Sequence, residues 1–147
     1  MGNKVKATNH LLEVSEYNEA GYSPVIDFQS WRVAILNYID ELETDKIDNF
    51  QCHNETDEVF VLLSGKCILF CAEVDKENNI ADIACWNMEP NRAYNIKRGV
   101  FHTHTLSADG KVLIIENSDT SDFNSPKIMI DNTVRNKLGQ LASSLWG

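Results

Sequence analysis

Basic residues are scarce in this chain. Thirteen Lys and Arg stand against twenty-two Asp and Glu over 147 residues, a formal net charge of −9 at pH 7. The densest basic pairs are only Lys4 with Lys6 and Lys97 with Arg98. Such a surface repels nucleic acid and anionic membrane unless its cations cluster, so neither is expected as a partner. Apolar runs such as Val59 to Leu63 are far too short to span a bilayer. The N-terminal stretch MGNKVKATNHLLEV lacks the apolar region of a secretory signal, and Lys6 stands where acylation at Gly2 would want Ser or Thr. Cys52, Cys67, Cys71 and Cys85 form no CxxC pair and no metal-finger spacing, which leaves reduced thiols in a cytoplasmic chain as the expectation. Repeats and low-complexity segments are absent as well.

What is present is one domain's worth of short strands. A hydrophobic content of 43% allows a respectable core at this length. Residues 1–30 read as an edge strand with an irregular lead-in, in which Gly21-Tyr22-Ser23-Pro24 looks like a turn; residues 31–130 form the β body, and 131–147 a terminal helix of the same domain. Trp31 to Ile39 reads as a strand covered on both sides, with Arg32, Ala34, Leu36 and Tyr38 sharing one face. Arg32 there is a candidate anion clamp or a salt-bridged residue. Residues 40–49 read as a charged, solvated loop. Strands are then expected at 50–53, 58–63 and 66–74, the last returning antiparallel across the Ser64-Gly65 turn. A strand pair follows at 80–88 and 93–96, then 100–106, and Asp109-Gly110 reads as a hairpin turn into 112–116. A short strand at 127–130 precedes the change of period. Val134, Leu138, Leu141 and Leu145 fall at helical spacing behind Asp131 or Asn132 as N-cap, and Gly139 weakens that helix by about 1 kcal/mol relative to Ala. Short strands joined by turns and closed by one helix point to an antiparallel sandwich or barrel.

Two stretches carry chemistry. QCHNETDEVFVLLSG (51–65) and NRAYNIKRGVFHTHTL (91–106) each place histidine at the edge of a strand, and the first adds Glu58. Imidazole and carboxylate converging from separate strands suit a first-row transition metal. On strand 67–71, Cys67, Leu69 and Cys71 share a face as small core residues, and Cys52 points away from its neighbours Gln51 and His53. Glu58 starts an inward face that continues through Phe60 and Leu62. His102 and His104 share a face; His104 is a candidate fourth ligand or acid–base group, or an interior hydrogen-bonded histidine. Glu55 and Asp57 read as loop residues in water. Tyr94 and Arg92 share a face on the strand before the second motif, and either could orient a polar group of a ligand, as could Lys97 or Arg98. Trp31, Trp86 and Phe101 are either ring-stacking residues or core.

The spacing resembles the cupin superfamily. Gln51-Cys52-His53, four residues, Glu58, six residues and Gly65 follow its first motif; Lys97-Arg98-Gly99, two residues and His102 follow its second. His53, Glu58 and His102 match ligand positions, and Gly65 and Gly99 match turn glycines. Gln51 stands where a first histidine is expected, Asp45 and Asn91 replace leading glycines, Lys97 replaces a proline and Leu106 a terminal asparagine. The resemblance, over residues 31–120, implies an all-β, antiparallel jelly-roll barrel with a C-terminal helix. It also implies a divalent transition metal (Fe, Mn or Zn) on His53, Glu58 and His102, with Gln51 as a weaker ligand, and His104 and Tyr94 as proton-transfer groups. A small polar metabolite is the expected partner, in a homodimer. Isomerase, epimerase or lyase chemistry on a sugar or hydroxy-acid derivative would fit. The alternatives are a metal-free metabolite-binding or sensor module and a structural oligomerising protein.

Overall fold

The computed structural model describes residues 4–147, with side chains described from residue 9 onward; the reading of Gly2 concerns a residue outside that range. Twelve strands and one α-helix are formed by the described residues: β1 (Lys4–Thr8), β2 (Glu13–Tyr17), β3 (Gly21–Phe28), β4 (Trp31–Asn37), β5 (Asn49–Gln51), β6 (Glu58–Ser64), β7 (Cys67–Val74), β8 (Ile80–Asn87), β9 (Ala93–Ile96), β10 (Phe101–Leu106), β11 (Lys111–Asn117), β12 (Lys127–Met129) and α1 (Asn132–Trp146). Two five-stranded antiparallel sheets, ordered β3-β4-β11-β6-β9 and β12-β5-β10-β7-β8, pack face to face, and β1 and β2 make a separate hairpin.

Period-two alternation decides what lies between the sheets. Ala34, Leu36, Phe60, Leu62, Val112 and Ile114 of the first sheet meet Cys67, Leu69 and Leu106 of the second in one buried cluster. Fully burying each large side chain contributes roughly 1.5–3 kcal/mol. The outer faces are covered differently. Tyr17 of the β1–β2 hairpin packs with Val25 and Ile35 over the first sheet. Leu138 and Ala142 of α1 lie over Phe50, Ile68, Phe70 and Phe101 of the second. The helix therefore roofs a sheet face. Its N-cap is Asp131, whose side chain accepts from Val134 N. Cys67, Leu69 and Cys71 do share the inner face, and Cys52 turns outward under α1.

Several turns join different elements from those their residues suggest. Ser64-Gly65 does not fold β7 back onto β6: β6 pairs with β11 and β9, whereas β7 pairs with β10 and β8. The Asp109-Gly110 turn likewise carries the chain from β10 in one sheet to β11 in the other, and β8 and β9 also sit in different sheets. These are jelly-roll corners. Gly65, at φ +67°, packs so tightly that a Cβ there would lie 2.6 Å from the Asp109 carbonyl oxygen, so only glycine fits. The Gly21-to-Pro24 stretch is not a turn but the start of β3, an edge strand that tolerates the missing proline N–H. A register shift between Pro24 and Ile26 reverses the facing of β3: Tyr22 is paired with Leu36 on the inner face, Ile26 with Val33 on the outer. The lead-in holds a hairpin, and the 40–49 loop contains a 3-10 turn (Asp40–Leu42) and the buried Ile47. No helix among the described residues is long and apolar enough to cross a membrane.

Candidate metal centre

Three strands deliver the histidine–carboxylate group. His53 follows β5, Glu58 opens β6 and His102 lies on β10, with 9%, 6% and 5% of their surface exposed. His102 is registered directly opposite Gln51, which orients both inward. His53 Nε2 lies 3.1 Å and His102 Nε2 2.9 Å from the same Glu58 Oε1. One ligand atom from each residue falls within 4.8 Å of the others.

Outer partners set the ring tautomers. His102 Nδ1 is 3.0 Å from the Val100 carbonyl, which can only accept, so Nδ1 carries the proton. His53 Nδ1 is 2.8 Å from Ser125 Oγ, whose own hydroxyl donates to Asn124 Oδ1, so it too donates outward. In their neutral forms both rings then aim an Nε2 lone pair at a carboxylate oxygen. Three acceptors converging in a buried space repel one another unless a cation or extra protons sit among them. Without metal, protons do so. Burial opposes charging of His53, but the hydrogen bond and negative charge of Glu58 outweigh it and raise its proton affinity. Burial also disfavours the Glu58 carboxylate, yet the two histidines hold its proton affinity well below the usual carboxylate range. The donor set fits a divalent transition ion: neutral imidazoles with Nδ1 anchored, plus a carboxylate, are the arrangement such ions take.

The loop after β11 builds the rest of the site. Cys52 N donates to Pro126 O and Asn54 N to Asn124 O, strapping residues 124–126 alongside the end of β5 and bringing Ser125 to His53. Arg32, Tyr22 and Glu116 form a network beside this, in which Glu116 is buried, Arg32 half-buried and Tyr22 exposed at the cavity mouth. Glu116 Oε2 accepts from Tyr22 Oη at 2.6 Å and from Arg32 Nη2 at 2.7 Å. Burial and then the neighbouring Glu58 raise the Glu116 proton affinity, against the pull of Tyr22 and Arg32. A cavity of about 400 Å³ opens over all of these groups, with Leu36, Ile39, Leu42 and Ile114 as its apolar wall. That is within the size range of small-molecule sites.

His104 lines the same cavity, its ring 5.4 Å from Phe60. Nδ1 is buried and has no protein partner. Burial, helped by His102, pushes its pKa down to about 4, so the ring is neutral at pH 7. Gln51 lines the cavity as well, but its amide nitrogen is committed to Ser125 O (3.0 Å) and Asp122 Oδ1 (3.3 Å), leaving the carbonyl oxygen as its remaining donor atom. Tyr94 is not brought to this group. It pairs with Phe60 across β9 and β6, its hydroxyl accepts from Glu89 N at 2.9 Å, and it lines a second cavity. Arg92 pairs with Glu89 on the surface, and Asp57 accepts from Asn95 Nδ2 and Arg98 N to fix the turn before β10. Trp31 stacks near Phe28 outside, Phe101 is core under α1, and Trp86 lines the second cavity. Sequence reasoning missed Glu116, Ser125 and the inward Tyr22. The only signal was Glu116 ending an apolar strand on the same face as Val112 and Ile114.

No protein-family model matches the chain, and no curated protein does. Solved structures do. A Streptomyces Pac13 variant with uridine superposes with a TM-score of 0.53 at 6% identity, covering 91% of this chain and 89% of that chain. Pac13 itself, described as a unique nucleoside dehydratase, gives 0.52 at 6% identity, with 89% of each chain covered. A cupin-2 domain containing protein from Shewanella frigidimarina gives 0.48 at 18% identity, over 68% of this chain and 83% of that one. The chain has a cupin fold. Its jelly roll is the one the two motifs imply, with the sheets left open along their edges rather than closed into a barrel.

Proposed function

We propose that this cupin-fold chain is a metal-dependent enzyme that moves a proton on a hydroxylated small molecule, as an isomerase, epimerase or lyase. The observation that carries the reading is the convergence of His53 Nε2, His102 Nε2 and Glu58 Oε1, each ring fixed from behind through Nδ1. His53, Glu58 and His102 would hold Fe, Mn or Zn, with the Gln51 carbonyl oxygen as a weaker fourth donor. A bound divalent ion supplies Lewis-acid polarisation of a ligand oxygen. His104 supplies a neutral base within the cavity, able to take a proton and return it. Ser125 and Val100 keep the ligand rings from rotating. The apolar wall excludes water from one side of the ligand. Tyr94 has no part in this scheme.

A metal-free metabolite-binding module is the second reading, and one observation favours it: Gln51 spends its amide nitrogen on the 122–125 loop instead of offering a third imidazole. The four free cysteines suit a reducing compartment, and the proposal extends to a cytoplasmic homodimer. Sedimentation giving a monomer at high micromolar concentration would remove the dimer. Because Pac13 is a nucleoside dehydratase, uridine joins free sugars and hydroxy acids in the first thermal-shift screen. Stabilisation by a ligand that depends on added Mn or Zn, followed by turnover, supports the enzyme. Stabilisation that survives chelator, without turnover in the presence of metal, would replace it with the binding module.

A further inference from the structure

Arg32 is the one Lys or Arg among the described residues lining the cavity, and it has little left to offer a ligand. Its Nε and Nη2 donate to Glu116 Oε2 at 3.1 and 2.7 Å, its Nη1 to Ser118 O at 3.1 Å and its Nη2 to Thr120 O at 3.1 Å. A guanidinium carries five N–H groups in a fixed fork, so these contacts account for all but one. The Glu116 side chain that holds it is itself buried. The Tyr22 ring, 5.8 Å from the guanidinium carbon, stacks on the pair while its hydroxyl donates to the same carboxylate oxygen.

Apart from the three histidines and this network, the ionisable lining residues are acidic, Glu58 and Asp122. Lys127 stands outside the cavity, 3.9 Å from Asp122. An anionic ligand would shed its hydration here to meet carboxylates and a cation already spent. His104 offers the opposite kind of partner, an imidazole with a buried Nδ1 that no protein group satisfies. One such nitrogen is enough to pair with a single hydroxyl or carbonyl group.

We infer that Glu116 locks Arg32 away from ligands, so that the cavity prefers an uncharged, hydroxyl-bearing ligand of the free sugar or nucleoside kind to its phosphorylated or carboxylated counterpart. The inference rests on the small-molecule reading above and narrows it, since hydroxy acids and sugar phosphates drop out. Inorganic phosphate is the direct probe, titrated calorimetrically into the full chain as purified and again after chelation. Heat that disappears on chelation is phosphate held by a bound metal and counts against the rejection of anions. The wild type should show no remaining phosphate binding at millimolar concentration, whereas Glu116→Gln, which unlocks the guanidinium, should bind about tenfold or more tightly than the wild type. Wild-type phosphate binding that survives chelation would overturn the inference, as would a folded Glu116→Gln protein no better than the wild type. If Glu116→Gln does not fold, uridine against uridine monophosphate on the wild type decides. A preference of about tenfold or more for uridine supports the lock, and parity or a preference for the monophosphate sinks it. Silence toward every organic probe, with the phosphate contrast intact, removes the small-molecule reading and leaves the locked cation standing.

Discussion

Beside β4 and β5 the sandwich opens on a cavity of about 400 Å³; between the free edges of β8 and β9 it opens on another of about 460 Å³. The first gathers three histidines, Glu58, Glu116 and Arg32, drawn from four strands and the segment after β5. The second is lined from the inner face by Leu69, Cys71, Trp86 and Tyr94, with Glu73 and Lys97 exposed to solvent. Burial pushes the Cys71 thiol up to about 11, which keeps it protonated and unreactive near neutral pH. Volume alone therefore does not make a site in this fold. What separates the two openings is a set of buried polar groups, His53, Glu58, His102 and Glu116, joined to one another or to Arg32 across strands.

That contrast can be broken most severely at the ligands. Glu58→Gln should weaken Mn or Zn binding by more than the ~10–100-fold that loss of an outer partner costs, because it removes the only anion among the three donors. Ser125→Ala should come next, at about 10–100-fold, since His53 Nδ1 loses the group that holds it. Calorimetric titration of both variants against the wild type checks the ranking, and equal losses would mean that Ser125 is itself a ligand or that the fold has moved.

Acidity gives a smaller and two-sided effect. His53 has a raised folded pKa, so its contribution to the stability of metal-free protein is complete below the unfolded value of 6.5 and is lost as pH rises through the folded one. Glu58 has a lowered folded pKa, so its contribution is present above 4.5 and fades as pH falls toward the folded value. Metal-free protein should therefore melt highest between these limits and lower at pH 8, while metal affinity climbs over the same rise because the ion competes with the proton on His53. Melting curves with and without chelator across pH 5–8 test both signs, taking pH values in that range as about where His titrates.

The smallest effects belong to the other opening. Tyr94→Phe removes one hydrogen bond to Glu89 N and should cost about 0.5–1.5 kcal/mol of stability. Metal and ligand affinity should not change. A Tyr94→Phe protein that folds but loses ligand binding or turnover would move the chemistry to the β8–β9 opening.

The readable and unreadable parts of the molecule divide by sequence distance. Glu58 and His102 could be placed because each sits at a fixed offset from a turn glycine, Gly65 and Gly99, within one short stretch. Strand positions were readable from period-two alternation, down to β9 at Ala93–Ile96. Strand partners were not, because Ser64-Gly65 and Asp109-Gly110 turn the chain sharply whether it returns in the same sheet or crosses to the other. Ser125 reaches His53 across 72 positions, and Tyr22 reaches Glu116 across 94. Nothing local marks such pairs. Tyr22 was hidden further by a glycine–proline stretch that imitates a turn, and only the register shift after Pro24 explains how it faces inward.

His53, Glu58 and His102 should together hold a metal ion despite Gln51. Titrating Zn or Mn into chelator-treated wild type and His102→Ala protein tests it most directly. One ion per chain is expected in the wild type, with loss of that binding in His102→Ala and the fold intact. No stoichiometric binding by the wild type, or binding unchanged in His102→Ala, would contradict it.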